Sequence, residues 1–91
     1  MYLAMLRIEV RIGRGFRAKR RVVRAMVDKI HRHFNVSVAE VDRSGHPSES
    51  VLGVVVIASG RREAREILDR VAEAVAAHPR AEISGIKRTE L

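Results

Sequence analysis

The chain has 91 residues, no cysteine, one Tyr and two Phe, and a formal net charge of +7. That length fits one small domain with a modest core, and 46% apolar residues exclude wholesale disorder. Without cysteine there are no disulfides and no thiolate metal sites, which fits a reducing cytoplasm, and no apolar run approaches the ~20 residues that span a bilayer.

The apolar start from Met1 to Leu6 is too short for a signal peptide and is followed by Arg7 and Glu9. Leu6, Ile8, Val10 and Ile12 alternate with Arg7, Glu9 and Arg11, the pattern of a half-buried strand. Gly13-Arg14-Gly15 breaks it. Phe16, Val23, Met26, Val27, Ile30 and Phe34 then recur at helical spacing and form one apolar stripe. This places Phe16 and Phe34 in the core. The helix should end near Phe34-Asn35. Val36 to Val41 reads as a second strand, and Asp42 to Ser48 as a polar turn.

Val51 to Ala58 reads as a third strand, apolar on both faces and therefore central. Ser59 or Gly60 caps a second helix with Ala64, Ile67, Leu68, Val71, Ala74 and Val75 on its inner face, and Pro79 follows its end. Ile83 and Ile86 mark a weaker last strand, bent at Gly85. The order βαββαβ, with right-handed crossovers, gives a ferredoxin-like α+β sandwich. Its four-stranded antiparallel sheet has the order 4-1-3-2 and carries both helices on one face. Ile8, Val10, Val23, Val27, Ile30, Val54, Val56, Ile67, Leu68 and Val71 are the expected core.

Charge is unevenly spread along this pattern. Ten of the eighteen Lys and Arg residues fall in the first 36 positions, against two acids, so that stretch carries +8 and the remainder −1. Arg17, Arg20, Arg21 and Arg24 project away from the apolar stripe of the first helix, and Arg17, Arg21 and Arg24 form a row at i, i+4, i+7. Like charges at this spacing repel, which an anionic partner would relieve. The second helix is balanced, and Arg62–Glu66, Glu66–Arg70 and Arg65–Asp69 sit at pairing distance. A localised excess of this kind is the footprint of a polyanion such as RNA. Arg14, Arg17, Lys19, Arg20, Arg21 and Arg24 are the candidate phosphate ligands. A merely soluble basic face is the plainer alternative.

No aromatics line the central strands, so base stacking on the sheet is not expected, and RNA would be held mostly through phosphate. His31 and His33, two apart on a helix, point in different directions and make a poor metal pair. No paired-carboxylate or nucleophile arrangement emerges, so neither an enzyme nor a cofactor is expected. The third strand places Val51, Val55 and Ile57 on the open side of the sheet, where with Leu3 and Met5 they would form an apolar patch suited to a homodimer.

Lys19 to Arg24, Phe34-Asn35-Val36-Ser37-Val38-Ala39-Glu40-Val41-Asp42, Leu52-Gly53-Val54 and Ile67-Leu68-Asp69-Arg70-Val71 resemble the YlxP-type small bacterial proteins, a family of unknown function. The resemblance runs almost end to end. It implies a ferredoxin-like fold, a cytoplasmic protein and an association with translation and ribosome maturation. The tryptophan that the family often carries in its hairpin loop is missing between Asp42 and Ser50. A smaller resemblance links Gly13-Arg14-Gly15-Phe16-Arg17 to the phosphate-cradling loop of acylphosphatases. It implies an alternative in which Arg17 binds a phosphoryl group and Asn35 orients water. A homodimeric module with an acidic protein partner is the remaining alternative.

Overall fold

Alternation in the strands and a 3.6-residue repeat in the helices build the architecture directly. The structure, a computed structural model, describes residues 1–13 and 15–91. Its elements are β1 (Tyr2–Ile12), α1 (Phe16–His33), β2 (Ser37–Asp42), β3 (Glu49–Ala58), α2 (Arg61–Ala76) and β4 (Ala81–Glu90). All strand pairings are antiparallel, in the order β2-β3-β1-β4. This is the ferredoxin-like α+β sandwich.

The first strand starts at Tyr2, four residues before the alternation of charge becomes visible. Leu3 and Met5 face the open side, while Ala4 and Leu6 are buried beneath the helices. Apolar residues on both sides hid the strand's beginning. The core is formed by Leu6, Ile8 and Val10 of β1, Leu52, Val54 and Val56 of β3, Val22, Val23, Met26 and Ile30 of α1, and Leu68, Val71 and Val75 of α2. Val27 and Ile67 are half-buried and pack against its edge. Phe34 does likewise. Phe16 does not join the core: as the first residue of α1 it stays 42% exposed.

Opposite the helices, the sheet is uncovered. One end of this open face is apolar, formed by Leu3, Met5, Val41, Val55 and Ile57. The other end is a lattice of charges. Glu9 Oε1 lies 2.9 Å from Arg7 and 3.7 Å from Arg43, Arg43 reaches Glu49 at 3.4 Å, and Arg7 reaches Asp42 at 3.6 Å. Val51, between Glu9 and Asp42 in register, faces this side as expected but is fully buried.

Two glycines make room on the open face. A Cβ on Gly53 would stand 2.8 Å from Val41 Cγ1, and one on Gly85 would stand 2.8 Å from Glu9 Oε2. The bend expected at Gly85 takes the form of a register shift beside it, where Glu9 pairs with Gly85 and Val10 with Ile83. Leu68, 2% exposed, supplies the stability test. Leu68→Ala should lower the unfolding free energy by about 2–5 kcal/mol, read by urea denaturation. Arg62→Ala, on the solvated side of α2, should change it by no more than about 0.5 kcal/mol.

Candidate polyanion-binding helix

The first helix opens on Gly15, whose φ of 100° suits glycine, and the Lys19 N–H donates to the Gly15 carbonyl at 2.9 Å to close the first turn. No side chain caps this end and no acid lies in its first turn. A helix start usually favours anionic side chains there. This one presents cations. Arg17, Arg20, Arg21 and Arg24 are all exposed, and with Ala25 and Asp28 they line one open depression of about 570 Å³. Among the described residues none of the four arginines forms an ion pair. The Arg20 guanidinium lies 5.6 Å from the centroid of the exposed Phe16 ring, within cation–π range.

Lys19 has a different role from the one its charge suggested. Its side chain is fully buried. Its Nζ donates to the carbonyl of Arg43 at 2.7 Å and of Ser44 at 3.0 Å, and lies 3.1 Å from Glu40 Oε2. Glu40 in turn accepts a 2.6 Å hydrogen bond from the buried Ser50 hydroxyl. All of the ammonium's hydrogen-bonding capacity is used inside the protein, so Lys19 leaves the candidate phosphate ligands. Arg14 lies outside the described residues.

The acylphosphatase-like pairing is also corrected. Arg17 stands in the first turn of α1 and Asn35 just beyond its last. Eighteen helical residues extend about 27 Å, so the two side chains cannot act on one phosphoryl group. The sequence separation is plausible, but the residues between them form one continuous helix.

The second helix pairs four of its eight charged side chains. Arg62 meets Glu66 at 3.3 Å, Arg61 meets Glu90 at 2.8 Å, and Asp69 pairs with Arg88 of β4. Of the three pairs expected within α2, only Arg62–Glu66 forms: Glu66 turns to Arg62 and not Arg70, and Asp69 pairs with Arg88 across to the sheet and not with Arg65. Glu63 accepts hydrogen bonds from the Ser59 hydroxyl and N–H, which hold its carboxyl below the usual carboxylate range. The Tyr2 hydroxyl, and then Arg61, do the same for Glu90.

His46 Nδ1 accepts the N–H groups of Ser48 at 3.1 Å and Glu49 at 2.9 Å, so this histidine shapes the 43–48 loop. His78 Nδ1 accepts the Arg80 N–H at 3.1 Å beyond α2. Among the described residues no three His, Asp or Glu side chains converge on a metal site. No helix among them is long and apolar enough to cross a membrane.

A family model described as "Protein of unknown function (DUF503)" matches residues 3–88. No curated protein matches the chain. Among solved structures it is similar to one described as "De novo designed protein Foldit4", with a TM-score of 0.57 and 16% identity over 96% of each chain. At that identity the likeness is one of fold alone.

The Lys19 anchor generates a direct test. Lys19→Ala removes one partner of an enclosed ion pair, a loss that costs about 3 kcal/mol, the low end of the usual range because Glu40 keeps some solvent. Arg21→Ala should change stability by no more than about 0.5 kcal/mol. Urea unfolding of the two variants compares them, and equal effects would contradict the anchor.

Proposed function

The chain belongs to the DUF503 family, to which no activity is assigned, and from that premise we propose that it is an RNA-binding module. The exposed face of α1 is the binding surface, and structured ribosomal RNA is the partner. One observation carries this reading: Arg17, Arg20, Arg21 and Arg24 share one open depression with a single acid, Asp28, and form no ion pair, while α2 sets four acids against its four arginines and pairs two of those arginines. A cluster of uncompensated guanidiniums repels itself in the free protein and gains most from phosphate, which each guanidinium can grip through two N–H groups. The translational association implied by the resemblance to YlxP-type proteins favours ribosomal RNA over other polyanions.

The contacts are mostly to phosphate, so affinity depends on the shape of the RNA more than on its sequence. Phe16 adds one feature. An exposed ring at the head of the arginine row offers a surface for an unpaired base, with Arg20 beside it. Thus a hairpin loop or bulge is preferred over a continuous duplex.

If four phosphates are neutralised, log affinity should fall with log salt at a slope of roughly −2.8 to −3.6 in a fluorescence-anisotropy titration with a ribosomal RNA hairpin. Arg17→Glu, Arg21→Glu and Arg24→Glu together should weaken binding by at least about tenfold and flatten that slope. Arg62→Glu with Arg65→Glu should do much less. Equal losses from both helices would reduce the effect to attraction by net charge. No binding near physiological salt would leave an acidic protein as the better partner.

The aromatic contribution is separable. Phe16→Leu should lower affinity for a hairpin with an unpaired loop by about fivefold or more, and leave affinity for a fully paired duplex unchanged. Equal affinity of the variant and the parent for the looped hairpin would remove the stacking contact.

A further inference from the structure

We infer that the open face of the sheet is a docking surface for a second copy of this chain, forming a two-fold dimer with the sheets face to face. The inference is independent of how α1 is used.

Its first support is the apolar end of the face. Ile57 and Val41 are 63% and 58% exposed, and Leu3, Met5 and Val55 are only half-buried between them. Met5 pairs with Val55 and Leu3 with Ile57 across β1 and β3, so these side chains form one continuous patch on the two central strands. Val41 joins it by leaning over Gly53. Contiguous apolar surface rimmed by charge is the signature of a protein contact.

Charge identifies the occupant. By strand register the face carries the cations Arg7, Arg11, Arg43 and Lys87 and the acids Glu9, Asp42, Glu49 and Glu82. Four positive and four negative charges cancel, so the whole net charge of +7 lies elsewhere on the molecule. A polyanion gains nothing from this face. Another copy, itself at +7, meets no net repulsion here.

Size is adequate. Four strands about 4.8 Å apart and six to eleven residues long at about 3.3 Å per residue give roughly 550 Å² of projected area per copy. Side-chain relief raises the accessible area toward the ~800 Å² per partner of a standard interface. A two-fold axis through Met5 and Val55 would set apolar surface against apolar surface and place the charged lattice at the rim, the usual order of an interface.

Sedimentation equilibrium at about 100 μM, a level that detects even weak interfaces, tests the proposal. The expected result is a mass twice the 10.2 kDa of the chain. Ile57→Glu and Val41→Glu alter exposed side chains, so each should keep the parent's circular dichroism spectrum. Each should shift the population to monomer by at least about tenfold in dissociation constant. Arg17→Glu should leave the dimer intact. A monomeric parent at this concentration would overturn the proposal. A dimer that survives both glutamate substitutions would overturn it too, by placing the contact on another surface.

Discussion

The buried ammonium of Lys19 is the constraint on which the rest of the molecule depends. A charge taken fully out of water is tolerated only when paired and hydrogen-bonded. Lys19 meets that demand with the carbonyls of Arg43 and Ser44 and the carboxylate of Glu40. Three consequences follow from one side chain. The first turn of α1 is fixed against the β2–β3 connection. The 43–48 loop must turn its carbonyls inward, which Arg43 permits by adopting a φ of 57°. The Arg43 guanidinium is left free to cross to the open face, where it meets Glu9 and Glu49. The loop is held from a second side by the Ile12 N–H, which donates to the Ser48 carbonyl at 2.7 Å. The arginine row is therefore displayed from a helix whose position is set by a polar anchor as well as by the core.

Much of this architecture was legible in the sequence because burial and period coincide. Leu6, Ile8, Val10 and Ile12 alternate with charged residues, so one face of β1 declared itself. Ala64, Leu68, Val71 and Val75 did the same for α2. The exceptions share a cause, which is that residue type outweighed position. Lys19 lies three and four residues before Val22 and Val23, squarely on the buried stripe of α1, yet its charge marked it as a surface residue. Phe16 lies on the same stripe, yet as the first residue of the helix it stays exposed. Partners for Lys19 come from residues 24 and 25 positions later, and no local pattern announces such contacts. Asn35 and Arg17 show the reverse error: a plausible spacing along the chain became a helix length in space.

Charge is partitioned among three surfaces. The outer face of α1 holds uncompensated arginines, α2 balances its four arginines with four acids, and the open sheet holds a neutral lattice beside an apolar patch. The open sheet lies opposite the two helices, so a partner on it does not obstruct the arginines of α1. In a face-to-face dimer the two arginine rows would lie on opposite outer sides, and a single particle would offer two separate sites to one RNA or to two. The topology dictates none of this, since a designed protein shares the fold at 16% identity. Function resides in which side chains the common frame displays.

The central claim is that the exposed face of α1, and no other surface, meets RNA. Amide chemical-shift mapping during titration with a ribosomal RNA hairpin near physiological salt tests it most directly. The account predicts shifts concentrated in residues 15–25, with α2 and the open-face residues Met5, Val55 and Ile57 unmoved. Shifts centred on the open face or on α2, or shifts spread evenly over every basic residue, would contradict it.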